Sequence, residues 1–252
     1  ISIGELFYVL WCLYCKNKLD NKSSKKNKRK NQQSFIAKIL IMSLPLTLSA
    51  LLSVGFNFIN TILMPHRLMI AGYSSSQSLA IIGRIMGMVM PLIGLPFIVT
   101  NALVVNLIPS LTEQVSQRRF NEIKADILLS IKVTLLVSIP MALIYIFFSK
   151  PIAIFLYNDV IVAEYIRIMG FATILIGLQH NLTGILYGLN KQNSATFNRL
   201  IGMFTQVILT YTLVGHPSFG VNGIFISYYG LYVVVMILDL VTLDKMRFIK
   251  SF

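Results

Sequence analysis

Apolar residues are grouped into long runs along this chain of 252 residues. A helix needs about 20 consecutive apolar residues to cross the hydrocarbon core of a bilayer. The runs predict a truncated span at residues 1–15 and six complete spans, at 36–64, 78–107, 126–148, 160–188, 198–214 and 221–243. The composition agrees, since 56% of the residues are hydrophobic and only 12% are charged. The pattern is typical of an all-α, polytopic integral membrane protein.

The run at 78–107 contains residues that an anchoring helix does not need. Pro91 and Pro96 lack amide hydrogens, so the carbonyls of Gly87 and Leu92 lose their usual helical partners. Because membrane lipid offers no hydrogen bonds, a bend or a cavity must satisfy these carbonyls. We therefore expect the hinge positions of this helix at Pro91, Pro96, Gly87 and Gly94.

Polar side chains recur on one face of several spans, opposite leucine, isoleucine, phenylalanine and valine. This pattern predicts two kinds of role, interhelical hydrogen bonding or the lining of a polar pathway. The glycines that share these faces are explained by close helix packing. The candidate lining residues are Asn57, Asn60, Asn101, Gln179 and His180.

Two arginines extend the list of candidate lining residues. Arg84 lies within the apolar run 78–107, where a charge is costly unless it faces a protein interior or a wet cavity. Two roles remain open for it, contact with an anionic solute and a structural pair with a carboxylate. Arg67 follows the second span and is either an interfacial arginine or a second anion contact. Together these cations suit a phosphate-containing solute better than a cationic drug.

The net charge of +13 is distributed unevenly. Seventeen of the 22 lysines and arginines lie in one alternate set of loops, which the positive-inside rule places in the cytoplasm. Residues 16–34 are predicted to be a flexible cytoplasmic linker near the membrane lipids, and the C-terminus is predicted to be cytoplasmic. This asymmetry accounts for most of the charge, so no nucleic-acid partner is expected.

Acidic residues are scarce within the predicted spans, where a catalytic or metal site would need them. Of the nine acids only Glu5 and Asp239 lie within spans, and His66, His180 and His216 are isolated. No metal-binding spacing, phosphate-binding loop or nucleophile motif is present. We therefore expect a protein that is not an enzyme, with no catalytic residue, metal or cofactor. Because Ile1 opens within a hydrophobic run, we also expect a fragment of a longer protein.

Several short motifs resemble those of one transporter family. They are Gly72-Tyr73-Ser74, Gly87-Met88 followed by Pro91-Leu92, Pro96, Asn101-Ala102-Leu103, Leu107 through Pro109 to Glu113, Leu186-Tyr187-Gly188 with Lys191, and the turn at 220–223. Together they resemble the stage V sporulation protein B and polysaccharide exporter branch of the multidrug, oligosaccharidyl-lipid and polysaccharide exporter superfamily.

The resemblance implies a two-lobed transporter of 12 to 14 helices in the bacterial cytoplasmic membrane. Residues 1–15 would then be the last helix of the first lobe, 16–34 the linker between lobes, and 35–252 the second lobe. The implied partner is a polyprenyl-diphosphate-linked oligosaccharide, such as a peptidoglycan or spore-cortex precursor, moved by alternating access together with a missing first lobe. Two alternatives stay open, a cation-coupled multidrug exporter and a non-transporting scaffold of an envelope assembly complex.

Overall fold

The computed structural model describes residues 50–245 of the chain. Every regular element in that stretch is helical, and no strand occurs in it. The prediction of an all-helical protein is therefore confirmed. The span predicted at 1–15, the linker at 16–34, Glu5, the start of the span at 36–64 and the extreme C-terminus lie outside the described residues.

We number the described helices α1–α9 in chain order. Their bounds are α1 (50–70), α2 (Ser75–Ile93), α3 (Phe97–Ser116), α4 (Phe120–Phe147), α5 (Ser149–Tyr157), α6 (Val160–Gly170), α7 (Ala172–Gly188), α8 (Gln192–Leu209) and α9 (Val221–Lys245). A wider π-helical turn continues α8 from Thr210 to Val214.

Three of these helices, α2, α4 and α9, are long and apolar enough to cross a membrane. The pair α6 and α7 is bent by 45° at Phe171 and would form a fourth span if the two helices act as one. These features confirm an integral membrane protein. They also locate the predicted spans 126–148, 160–188 and 221–243 on α4, on the α6–α7 pair and on α9.

The predicted span at 78–107 differs from the observed structure. It is two helices, α2 and α3, separated by a turn at residues 94–96. The physical reason is local, because Pro96 has no amide hydrogen with which to continue the helix. The short helix α5 was not predicted either, because it begins with Ser149, Lys150 and Pro151, which are typical of a loop although proline is tolerated in the first turn of a helix.

Polar residues fix where several of the helices begin and end. Ser74 and Gln77 form a reciprocal capping box at the start of α2, with N···O distances of 3.0 and 3.2 Å. Asp159 caps α6 by accepting a hydrogen bond from the Ile161 amide at 2.9 Å. Asn158 and Asn190 end α5 and α7 in the left-handed backbone region, which asparagine tolerates well.

Tyrosine hydroxyls donate to backbone carbonyls at three places near irregular parts of the membrane helices. Tyr145 of α4 donates to the Leu92 carbonyl at 2.7 Å, beside the break before α3. Tyr157 donates at 3.0 Å to the carbonyl of Met88, within the π-helical turn of α2. Tyr229 of α9 donates to a carbonyl near the end of α6, that of Ile168, at 2.6 Å.

Helix α7 packs against α3, α4 and α9 through small residues. A methyl group added at Gly184 would overlap the side chain of Val104 on α3, and one at Gly188 would lie 2.8 Å from Leu111 Cβ. Asn181, fully buried on the same helix, donates to the Ser130 carbonyl and to the Thr134 hydroxyl of α4. Small residues and one satisfied amide therefore hold α7 at the centre of its neighbours.

Replacement of Gly184 by alanine is expected to destabilise the bundle. Three carbon atoms of Val104 surround the added methyl group, so rotation of the valine cannot relieve the overlap. Overpacking of this kind costs about 1–3 kcal/mol. Thermal unfolding in detergent should report a lower melting temperature for Gly184→Ala. In a Val104→Ala background the same change should cost much less, and an equal cost in both backgrounds would contradict the packing assignment.

Replacement of Tyr145 by phenylalanine is expected to lower the free energy of unfolding by about 1–3 kcal/mol, because the buried Leu92 carbonyl loses its tyrosine donor. The matched control is Tyr187→Phe, since the Tyr187 hydroxyl makes no hydrogen bond to any residue that the structure describes. We expect that control to change stability little. Equal effects of the two substitutions in the thermal unfolding assay would rule out the capping role.

Candidate substrate-facing residues

The polar residues predicted to line a pathway make separate contacts. Asn101 and His180 bond to each other, whereas Asn60, Arg67 and Arg84 each have a different partner. The described residues therefore carry several small polar sites, each between two or three helices. The lining role stays a prediction for every one of them.

Asn101 and His180 form a polar pair at the contact between α3 and α7. His180 Nε2 lies 3.3 Å from Asn101 Oδ1, and the imidazole ring packs on Phe97 with 4.2 Å between ring centroids. Phe97 is the first residue of α3, so the pair lies about one turn beyond the interruption at residues 94–96. Asn101 is exposed and His180 is half-buried, which leaves the pair accessible from one side of the bundle.

Arg84 is bound to a carboxylate. Its Nε donates to Asp159 Oδ2 at 2.7 Å, and both side chains keep some exposure, 28% and 21%. Of the two roles left open by the sequence, the structure contains the carboxylate pair. The hydrogen bond from Arg84 holds the pKa of Asp159 below its usual value, with the bond from the Ile161 amide acting in the same direction.

Arg67 has no carboxylate within 4 Å among residues 50–245. Its guanidinium carbon lies 4.1 Å from the ring centroid of Tyr211, in a cation–π contact. Gly215 makes this approach possible, because any side chain there would overlap the guanidinium. The Nε atom is buried without a hydrogen-bond partner, so Arg67 is positioned by packing and its charge is not neutralised by an acid.

The other three predicted lining residues occupy different settings. Asn60 is buried and donates to Gln206 Oε1 of α8 at 3.3 Å, while its own Oδ1 has no partner. Gln179 donates to Thr183 on the next turn of α7 at 2.9 Å. Asn57 is exposed, and its carbonyl accepts a bond from Thr61. Asn60 therefore makes the interhelical contact that the sequence allowed, and Asn57 faces outward.

The predicted hinge residues surround two irregular stretches. Gly87 lies within the π-helical turn Ile85–Val89, directly before Pro91. Gly94 and Pro96 lie in the turn between α2 and α3. Movement at these positions remains a prediction.

One polar network was not predicted from the sequence. Asp239 of α9 is fully buried and accepts hydrogen bonds from Thr183 of α7 and Asn198 of α8. The only available signal was an acidic residue inside an apolar run, and its partners lie 56 and 41 residues away. No group of three or more histidine, cysteine, aspartate or glutamate side chains suited to a metal ion occurs in the stretch 50–245.

Comparison with known proteins identifies the family. The family model described as MatE matches residues 45–212, about two thirds of the chain. The chain belongs to the MatE family. The predicted relationship to the exporter superfamily is thus confirmed, and the protein is a multi-pass membrane protein of this family.

A curated relative of this MatE protein is stage V sporulation protein B of Bacillus subtilis (strain 168). The two sequences are 24% identical over 244 residues, which cover 97% of this chain and 47% of the relative. The chain therefore spans about half the length of the relative. No solved structure gives a significant match.

The Arg84–Asp159 pair predicts a pH-dependent coupling. In a double-mutant cycle of Arg84→Gln and Asp159→Asn, we expect a favourable coupling of up to about 1 kcal/mol at pH 7. Asparagine keeps the cap of α6 and removes only the charge. Because the pKa of Asp159 is lowered by folding, the coupling should be fully present above the usual carboxyl range and should be lost as the pH falls below that range, through the lowered pKa of the folded state. Thermal unfolding measures it, and a coupling that is the same at pH 3 as at pH 7 would contradict the ion pair.

Proposed function

We propose that this protein is a transporter that moves a lipid-linked oligosaccharide across the bacterial cytoplasmic membrane by alternating access. Membership of the MatE family supports transport over enzymatic chemistry. The similarity to stage V sporulation protein B favours an envelope precursor, such as a peptidoglycan or spore-cortex precursor. The activity would belong to the complete two-lobed protein, with residues 35–252 as its second lobe.

The observation that carries this proposal is the unneutralised cation at Arg67. A diphosphate and its sugars cannot cross about 30 Å of hydrocarbon unaided, so a carrier must offer polar contacts while the polyprenyl tail stays in lipid. Guanidinium groups bind phosphate oxygens with strong, charge-assisted hydrogen bonds. Arg67 is partly exposed and has no acidic neighbour in the described part of the chain, which leaves its charge available to an anion.

Arg84 takes a secondary place in this proposal. Its bond to Asp159 makes the pair close to neutral, so a phosphate would have to compete with the carboxylate. The Asn101–His180 pair offers amide and imidazole groups, which suit the hydroxyls of a sugar. The interruption at residues 94–96 lies next to that pair, and we infer that the lobe rocks there during alternating access.

The test is translocation of a labelled polyprenyl-diphosphate sugar by the complete protein in liposomes. We expect Arg67→Gln to slow translocation about tenfold or more, the effect of losing roughly 1.4 kcal/mol of charge-assisted binding. Lys150→Gln is the matched control, because Lys150 at the start of α5 is an exposed basic residue that makes no ion pair within residues 50–245. That control should keep the wild-type rate.

The outcomes separate the alternatives. Equal rates for Arg67→Gln and the wild-type protein would remove the role of Arg67 but leave the transporter. Failure to translocate any polyprenyl-diphosphate sugar would reject the proposed function. If the same liposomes instead exported cationic dyes, a multidrug exporter would be the better description, and the absence of both activities would favour a scaffold.

A further inference from the structure

A pocket opens between α3 and α4 near the turn that joins these two helices. It has a volume of about 240 Å³, which is room for about eight groups of the size of a water molecule. Its wall combines apolar and polar side chains, among them Leu103, Asn106 and Ser110 of α3 and Asp126, Leu129 and Val133 of α4. We call it the α3–α4 pocket.

Hydrogen bonding at the polar end of the α3–α4 pocket leaves acceptors without donors. Asp126 Oδ2 accepts from the Ser110 hydroxyl at 3.0 Å and from Gln114 Nε2 at 2.7 Å. Gln114 Nε2 also donates to Ser110 Oγ at 3.2 Å, so every side-chain donor of this cluster is used. Among residues 50–245 no group donates to Asp126 Oδ1, and Gln114 Oε1 is buried without a donor. A ligand at this end should therefore bring donors.

The charge at this end of the pocket narrows the choice of ligand. Within the described part of the chain, no lysine, arginine or histidine nitrogen lies within 4 Å of the Asp126 oxygens. A primary ammonium group supplies both a positive charge and N–H donors, and its hydrogen bonds to a carboxylate are charge-assisted. A quaternary ammonium group has the charge without the donors, and an anionic group would be repelled. The polar end therefore suits a primary amine.

The α3–α4 pocket changes from polar to apolar along its length. Asp126 lies six residues after the start of α4, about 9 Å along its axis, and Val133 lies about 10 Å deeper. On α3, Leu103 lies equally far from the turn. Leu129 in the wall and Leu136 beyond it are 60% and 73% exposed. A polar end near the turn and an apolar end deeper in the membrane match a phospholipid, whose headgroup lies at the surface and whose chains enter the hydrocarbon.

We propose that the α3–α4 pocket binds a phospholipid whose headgroup carries a primary amine, such as phosphatidylethanolamine. The ammonium group donates to Asp126 Oδ1, and an acyl chain lies along Leu129 and Val133. The Asn106 amide, one turn deeper than Ser110 on α3, has one N–H bonded within its own helix and one available to a phosphate oxygen. Since the positive-inside rule places the basic turn between α3 and α4 in the cytoplasm, the lipid belongs to the inner leaflet.

The test is native mass spectrometry of the complete protein, released from nanodiscs with equal amounts of phosphatidylethanolamine, phosphatidylglycerol and phosphatidylcholine. We expect the wild-type protein to hold one phosphatidylethanolamine molecule that Asp126→Asn retains about fivefold less often, the effect of one partly exposed ion pair. Asparagine keeps an acceptor for Ser110 and Gln114 and removes the charge. The matched control is Glu113→Gln, because Glu113 is an exposed acid of α3 outside the pocket wall. That control should retain the lipid as the wild-type protein does.

Equal retention of phosphatidylethanolamine by the wild-type protein and Asp126→Asn would overturn the proposal, as would a wild-type preference for phosphatidylglycerol. Retention of no lipid by the wild-type protein would also reject it, since another part of the complete protein would then cover the pocket.

If Asp126→Asn does not fold, methylation of the lipid amine provides a second test on the wild-type protein. Dimethyl-phosphatidylethanolamine keeps one N–H and should be retained, whereas phosphatidylcholine has none and should not. Equal retention of these two lipids would exclude the hydrogen bond to Asp126. Neither measurement depends on translocation, so the lipid site stands or falls separately from the proposed function.

Discussion

Backbone hydrogen bonding inside the membrane is the constraint on which the rest of this structure depends. Lipid cannot satisfy a free carbonyl, so every interruption of a membrane helix needs a partner from a neighbouring helix. The hydroxyls of Tyr145, Tyr157 and Tyr229 supply that partner at the irregular parts of α2 and near the end of α6. Because each hydroxyl comes from a different helix, the interruptions also connect α2 and α6 to α4, α5 and α9.

The same constraint explains why the irregular helices can remain irregular without unfolding. Each tyrosine hydroxyl is a single, directional donor on a rigid ring, so it supplies one hydrogen bond to one carbonyl. Close glycine contacts, such as those of Gly184 and Gly188 with α3, fix the position of α7 by packing instead. The bundle therefore combines close helix packing around α7 with single side-chain hydrogen bonds at the irregular parts of α2 and α6.

The fold was largely predictable because its main signal is local. Runs of apolar residues located α4, the α6–α7 pair and α9, and the two prolines indicated that the span at 78–107 could not be a regular helix. The partners of the interrupted carbonyls were not predictable in the same way. Tyr145 lies 53 residues from Leu92 in sequence, and a tyrosine in an apolar run is equally compatible with an interfacial position.

The partners of the charged residues could not be predicted either, because they too lie far away in the sequence. The sequence showed that the charge of Arg84 would be costly in free energy inside a membrane. Its partner Asp159 lies 75 residues away and has the sequence pattern of an ordinary helix cap. Asp239 was visible as an acid inside a span, yet nothing local indicated that Thr183 and Asn198 would enclose it. Distant partners decide which charged residues are available to a ligand, and these partners follow from the packing of the helices.

Three charged groups of the described bundle, Arg84, Arg67 and Asp239, differ in how they are compensated. Arg84 is bound to a carboxylate, Arg67 contacts the face of an aromatic ring with no acid within 4 Å among residues 50–245, and Asp239 accepts hydrogen bonds from neutral donors. A paired charge mainly maintains structure, whereas a charge held by neutral groups gains free energy when a counter-charge arrives. The proposed anion contact therefore rests on Arg67 and not on Arg84.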